Sequence, residues 1–354
     1  MSTSLLEAHT LNLGSSFELE SSESLDELKL VYYTSCRPYK PGEKVVWICH
    51  ALTGDADPSD WWPQLVGEGL LIDPRKYYVV CVNMLSSPYG STCPLSVKPS
   101  DGLPYLLDFP KITIRDMVRS CILVRKALGV ESIDLLLGPS IGGYLALEWS
   151  IMESSVIRNA VFLATAPRVT PYMTALNESQ RMALEADRTF RQASCRTSEG
   201  FPSVGGEKGL ACARTIALAS YRSFDGYNLT QAESDPDCLF ADRAASYHRY
   251  QGKKLVDRFD AYSYYYLTYA LDSHNVGRGR GGVRKALSSI TARSLVVNIT
   301  SDVLFPPKIG RSVAACIKNS SYAELSSLFG HDGFLVESKT LNHILAPFFE
   351  SSLG

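Results

Sequence analysis

The stretch "LLLGPSIGGYLALEWS", residues 135–150, places one serine between two glycines with an apolar run on each side. Gly138-Pro139-Ser140-Ile141-Gly142 fits G-x-S-x-G. The mechanical sense of that pattern is a sharp strand-to-helix turn that holds a serine hydroxyl above the edge of a sheet. The apolar residues before Ser140 read as a buried strand, and Gly143 to Ile151 as a buried helix. The bland alternative is a polar residue where a buried strand ends. Five residues cannot decide between the two. The decision rests on whether the chain supplies a base, an acid and an oxyanion site in workable order.

Working outward, short apolar and β-branched runs recur at 28–35, 44–52, 77–85, 132–138, 159–165 and 294–300. Most are nearly continuous, as expected of strands covered on both faces of a mainly parallel sheet. Helical patterns lie between them, such as "TIRDMVRSCILVRKALGV" (113–130), with Thr113 as N-cap and Gly129 near the stop. This alternation implies a doubly wound α/β fold. From 168 to 290 the rhythm breaks into helical patterns without a convincing strand, and strand character returns at 294. The expected organisation is an α/β core in two parts, 1–167 and 291–354, with a helical lid inserted at 168–290. "NVGRGRGG" (275–282) could be an Arg-Gly nucleic-acid segment. A single short copy on a nearly neutral chain favours a hinge loop, with glycines supplying unusual dihedrals.

Composition narrows the function classes. The 354 residues carry a formal net charge of −2, which argues against nucleic acid or an anionic membrane as partner. The start lacks a basic, then apolar leader, and no stretch approaches the roughly 18 apolar residues of a spanning helix. Nine cysteines are scattered, without a C-x-x-C pair or a Cys/His cluster. They read as reduced thiols of a cytoplasmic protein that binds no metal.

A serine hydroxyl needs a histidine base that is itself oriented by a carboxylate. Of six histidines, His9 lies in the N-terminal tail, His248 and His274 in the insertion, and His343 in a terminal helical pattern. His50 ends an early strand. His331, in "LFGHDGFLVE", follows a strand-like "SYAEL" and is flanked by Gly330 and Gly333. Asp302 comes directly after the buried run at 294–300. Ser140, Asp302, His331 is the chain order of α/β-hydrolase folds. The oxyanion donors would be the backbone N–H of Ile141 and that of Leu52, in the loop "CHALTGDADPSDWW" (49–62). Trp61 and Trp62 read as packing.

With these residues placed, the chain resembles the homoserine O-acetyltransferase family of the α/β-hydrolase superfamily, in the form found in Bacteroidetes-type bacteria. The likeness runs along nearly its whole length. It is carried by "CHALTGDAD…WW", "VNMLSSPYGSTCPLS", "FPKITIRDMVRS", "GPSIGGYLALEWS", "NESQRMAL", "GLACARTIALASYRS", "YQGKKLVDRFDAYSY", "DSHNVGRGRG", "SDVLFPP" and "GHDGFL". The resemblance implies an acylated Ser140, His331 as general base and Asp302 as its orienting acid. It implies Arg214 and Tyr221 on the carboxylate of an amino acid, and Asp332 on its ammonium. Seven residues span about two helical turns, so Arg214 and Tyr221 share a face. It further implies ping-pong transfer from acetyl-CoA, used as a substrate with no resident cofactor, to L-homoserine, and a homodimer formed through the insertion. Pro139, Ile141, "SSPYGSTCP" and "APRVTPYM" depart from the family's usual residues. These departures bear on donor and acceptor preference, so a succinyl donor, a serine acceptor or simple ester hydrolysis stand as alternatives. A catalytically dead binding module is disfavoured by the intact set of Ser140, Asp302, His331 and Arg214.

Overall fold

The computed structural model describes residues 5–191 and 204–353. Eight strands form one sheet: β1 (Leu6–Leu13), β2 (Leu28–Ser35), β3 (Val45–Ile48), β4 (Tyr78–Val82), β5 (Leu135–Pro139), β6 (Asn159–Leu163), β7 (Arg293–Ile299) and β8 (Ser320–Leu325). Their order is β1-β2-β4-β3-β5-β6-β7-β8. β1 and β2 pair antiparallel, as do β2 and β4, and all other pairings are parallel. The helices are α1 (Pro58–Trp61), α2 (Ile114–Ala127), α3 (Ile141–Met152), α4 (Pro171–Ala186), α5 (Glu207–Tyr221), α6 (Phe224–Gln231), α7 (Arg243–Val256), α8 (Ala261–Asp272), α9 (Val283–Ser288), α10 (Pro307–Ala314), α11 (Gly333–Val336) and α12 (Ser338–Leu353).

The continuous apolar runs have the expected cause. Every residue of β3, β4, β5 and β6 is buried, because side chains alternate between two covered faces. Trp47, Val80, Leu136 and Phe162 pack with Met117, Cys121, Tyr144 and Trp149 of α2 and α3. Val46, Val79, Leu135 and Val161 point the other way, toward Leu341, Leu345 and Phe348 of α12. Burying each such side chain contributes about 1.5–3 kcal/mol. Thr113 caps α2 in a full capping box with Asp116, and Gly129, at φ +70°, terminates it.

The N-terminal tail expected around His9 is instead strand β1, paired with β2 over eight residues. His9 Nε2 lies 2.9 Å from Thr34 Oγ1 on that strand. "LEAHTLNL" was missed because an edge strand with one solvent face carries too few apolar residues to stand out.

Between β6 and β7 the described residues form helices α4 to α9 and, apart from one antiparallel bridge between Arg168 and Asn275, no strand pairing. They do not all lie on the outside. Tyr262, Tyr264, Leu267 and Ala270 of α8 are fully buried and join the core that contains Trp47 and Phe162. Tyr266 donates from its hydroxyl to Leu107 O at 2.7 Å. α8 is therefore rooted in the core.

The Arg-Gly segment has a structural role. Gly279, Gly281 and Gly282 take φ of +72°, +76° and +99°, and Arg278 and Arg280 pair with acidic side chains distant in sequence. Arg278 grips Glu20 with two hydrogen bonds of 2.6 and 3.0 Å, and Arg280 grips the buried Glu148, one bond measuring 2.9 Å. Arg115 Nε reaches Glu148 at 3.0 Å, and its Nη1 reaches Glu20 at 2.9 Å. Removing one partner from a buried ion network costs about 3–5 kcal/mol, because the remaining charges lose their compensation. Glu148→Gln is therefore expected to lower the urea midpoint strongly. Arg75→Ala, which breaks only the exposed pair with Glu68, should leave it nearly unmoved. Equal midpoint shifts in the two variants would refute the assignment.

Candidate active site

The parallel strands deliver their carboxyl ends to one edge, and four loops there carry the predicted residues. Ser140 follows β5 at φ +58°, ψ −122° and opens α3. A non-glycine residue held there stores about 1–3 kcal/mol of strain, which the surroundings must hold. They do so by close packing. A Cβ at Gly138 would lie 2.1 Å from Gly142 O, and one at Gly142 would lie 2.1 Å from Cys49 O. No other residue fits at either glycine, so α3 is pressed against the end of β3.

Asp302 follows β7. Its Oδ1 accepts hydrogen bonds from Leu304 N at 2.8 Å and Phe305 N at 3.1 Å, which fixes the carboxylate. Its Oδ2 lies 2.7 Å from His331 Nδ1. His331 follows β8, on a short turn, Gly330–Asp332. A carboxylate only accepts, so Nδ1 carries the proton and Nε2 is free to accept. Ser140 Oγ stands 2.9 Å from that Nε2 and donates to it. The structure thus brings together Ser140, His331 and Asp302 in one hydrogen-bonded chain. Burial would lower the His331 pKa, but the Asp302 charge and hydrogen bond outweigh it, and the net shift is upward.

The two expected oxyanion residues belong to the start of α3 and to the loop after β3. Ile141 is the first residue of α3, where N–H groups have no intrahelical acceptor. Leu52 sits in the loop after β3, whose Cys49 and His50 carbonyls touch Gly142. His50 braces that loop. Its Nδ1 donates to Ala51 O at 2.8 Å, while Nε2 accepts from Met84 N at 3.0 Å. The position of His50 was legible in the sequence, but its bracing role was not. Arg258, from the insertion, donates to Thr53 O at 2.6 Å on the same loop.

Arg214 and Tyr221 do share a face of α5, with the guanidinium carbon 5.5 Å from the Tyr221 ring centre. The Tyr221 ring lies 5.8 Å from that of His331. Asp332 faces the same corner. Burial pushes its carboxyl up, against the charges of Arg222, Arg214 and His331. Its nearest cation is Arg222, with Nε 3.1 Å from Oδ2. Arg222 went unremarked in the sequence, since it stands one residue past the helix and outside its periodicity. Trp62 is buried and donates to Phe334 O at 2.9 Å, a packing role as expected.

Two histidines are held neutral by burial. His50 is pushed down to about 4, and His274 to about 3. His274 donates from Nε2 to Ala166 O at 2.9 Å and stacks on Tyr144 at 3.8 Å. The unfolded chain protonates each near the ordinary histidine value of 6.5, well above the folded values. Stability is therefore expected to fall as pH drops from about 6.5 toward 4, by about 1.4 kcal/mol per pH unit for each histidine. His331 has a raised pKa, so its stabilising contribution is already complete throughout that window. Urea unfolding from pH 7 to 4.5 would show this slope, and His274→Gln should flatten it. An unchanged slope in that variant would count against the assignment.

Among the described residues no group of three or more His, Cys, Asp or Glu could hold a metal ion, and no helix is long and apolar enough to cross a membrane. A family described as alpha/beta hydrolase fold matches residues 44–338. The chain is 40% identical over 336 residues to a homoserine O-acetyltransferase of Cyclobacterium marinum, covering 95% of this chain and 93% of that one. The crystal structure of homoserine o-acetyltransferase from Staphylococcus aureus matches with a TM-score of 0.79 at 30% identity, covering 97% of this chain and 95% of that one. The homoserine O-acetyltransferase structure from Bacillus anthracis matches with a TM-score of 0.89 over 99% of this chain and all of that one. At 19% identity that match speaks for the fold alone.

Proposed function

Because this chain belongs to the homoserine O-acetyltransferase family of the α/β-hydrolase fold, we propose that its Ser140 carries an acetyl group from acetyl-CoA to the hydroxyl of L-homoserine. The observation that carries the mechanism is the unbroken chain from Ser140 Oγ through His331 to Asp302, with Arg214 and Tyr221 beside the base.

In the first half-reaction His331 Nε2 takes the Ser140 proton as Oγ attacks the thioester carbon. The N–H groups of Leu52 and Ile141 hold the oxyanion, and such donors contribute about 3–4 kcal/mol each where charge develops. Collapse breaks the C–S bond, and the sulfur leaves with the proton that His331 returns. In the second half-reaction homoserine enters with its carboxylate on Arg214 and Tyr221 and its ammonium on Asp332. His331 removes the γ-hydroxyl proton, the oxygen attacks acetyl-Ser140, and Ser140 recovers a proton. Arginine suits the carboxylate because its planar fork matches both oxygens. The helical insertion keeps water from the acyl-enzyme. The product, O-acetyl-L-homoserine, feeds methionine synthesis.

The enzyme works in the cytoplasm as a homodimer, with acetyl-CoA as substrate and no resident cofactor. The insertion exposes Phe224, Leu239 and Phe240 at 82%, 87% and 83%, and these large apolar side chains support a second copy docking there. Sedimentation is expected to report a dimer, and charged replacements at Leu239 and Phe240 a monomer.

Product analysis by mass spectrometry tests the activity. Acetyl-CoA or succinyl-CoA would be offered with homoserine or serine. O-acetylhomoserine should dominate. Release of free acetate at a rate indifferent to homoserine would overturn the reading in favour of ester hydrolysis, and succinyl or seryl products would reassign donor or acceptor.

A further inference from the structure

The junction between α5 and α6 is locked onto the loop that carries His331. Gly330 stands at φ +62°, and a Cβ there would meet Tyr221 O at 2.7 Å and Arg222 C at 2.8 Å. A Cβ at Gly226 would meet Leu328 O at 2.4 Å, and Ser223 donates its hydroxyl to that same carbonyl. Backbone thus touches backbone over several residues on each side. α5 ends at Tyr221, and Arg222 leaves it extended, at φ −104° and ψ 155°. That turn brings its guanidinium to Asp332, with Nε 3.1 Å from Oδ2. Both side chains are mostly shielded from water, at 23% and 15% exposure.

We propose that Arg222 is a positioning residue for acceptor recognition, holding the Asp332 carboxylate aimed so that it can pair with the ammonium of the incoming amino acid. This deepens the reading above and rests on it. The contact is a charge pair and not an aligned hydrogen bond, since Arg222 Nε has no hydrogen-bond partner. Its Nε stands closest to Oδ2. The other carboxylate oxygen accepts no hydrogen bond from a described residue, which leaves it for an ammonium. The groups facing Asp332 are Arg214, Tyr221 and Arg222 of the α5 segment, His331 beside it, Asp302 behind that, and Tyr227 of α6. Burial drives the carboxyl toward its neutral form, and the Arg222 guanidinium is the strongest charge opposing it. A neutral Asp332 would offer an ammonium a carbonyl acceptor but no opposite charge.

The experiment compares two acceptors with the same hydroxyl and carboxylate, L-homoserine and 4-hydroxybutanoate, in the parent enzyme and in Arg222→Met, Arg222→Lys and Asp332→Asn. Arg222→Met is expected to raise KM for homoserine about 10- to 100-fold, the range for losing one charge-assisted contact. KM for 4-hydroxybutanoate should move less than about threefold on the same argument, since that acceptor has no ammonium. Arg222→Lys should recover most of the homoserine affinity. The acid limb of kcat/KM for homoserine should shift to higher pH in Arg222→Met, and that for 4-hydroxybutanoate should stay. Equal losses on both acceptors would mean a merely structural arginine and overturn the proposal, as would no loss at all. If Asp332→Asn itself leaves homoserine KM unchanged, the ammonium site is misassigned, a failure distinct from that of Arg222.

Discussion

Ser140→Ala is expected to lower acetyl transfer at least about 10⁴-fold and to leave no acetyl-protein adduct. The size follows from the geometry. Ser140 Oγ is the atom that His331 Nε2 faces at 2.9 Å. Without it the base has only water to activate, and no covalent intermediate forms. Stability should barely change, because alanine keeps a Cβ at the same φ of +58° and so keeps the same strain. Ser140→Gly separates the two effects. It should be equally inactive yet more stable by about 1 kcal/mol, since glycine adopts that φ without penalty. Release of CoA thiol, intact-protein mass after acetyl-CoA, and urea midpoints measure all three. Transfer by Ser140→Ala within tenfold of the parent would sink the mechanism.

Asp302→Asn is expected to cost about 10³–10⁴-fold in kcat, by analogy with the magnitude seen in other serine triads. The reason is specific to this loop. Oδ1 accepts from both Leu304 N and Phe305 N. An asparagine must therefore keep its carbonyl on that side and turn its amide N–H₂ toward His331. His331 would then present a bare Nδ1 to the amide and carry its proton on Nε2, where it cannot accept from Ser140. The pH profile carries a second signature. The Asp302 charge and hydrogen bond raise the His331 pKa against burial, so their loss lets burial win. The acid limb of the residual activity should move to lower pH. A limb that stays put or moves up would contradict the assigned role.

Ser140 and Asp302 were legible because each follows a recognisable buried run, His331 because it stands between glycines after a strand-like segment, and the chain order admits few arrangements. Arg214 and Tyr221 were legible only through the family resemblance, since a helix arginine and tyrosine seven apart are common. Other features lay outside what periodicity can carry. Strand β1 has one solvent face and so lacks a continuous apolar run. Arg222 falls just past a helix end, where spacing no longer predicts direction. The pairing of Arg278 with Glu20 and of Arg280 with Glu148 joins residues more than a hundred positions apart. Only folding brings such charges together. The helical stretch between β6 and β7 was visible as a break in rhythm, while the burial of α8 in the main core was not.

The contact between Gly142 and Cys49 O has a consequence for how substrate preference can change. A single methyl group at 142 would collide with a carbonyl at 2.1 Å, so the wall formed by the elbow and the β3 loop admits no added side chain at that point. Variation toward new acyl donors or acceptors, by natural drift or by laboratory selection, must then accumulate elsewhere around the triad. The α5 segment, whose Tyr221 ring lies 5.8 Å from that of His331, is the place where side chains can change. Libraries built on α5 and the α5–α6 junction should yield altered specificity, and libraries built on the elbow should yield mostly unfolded protein.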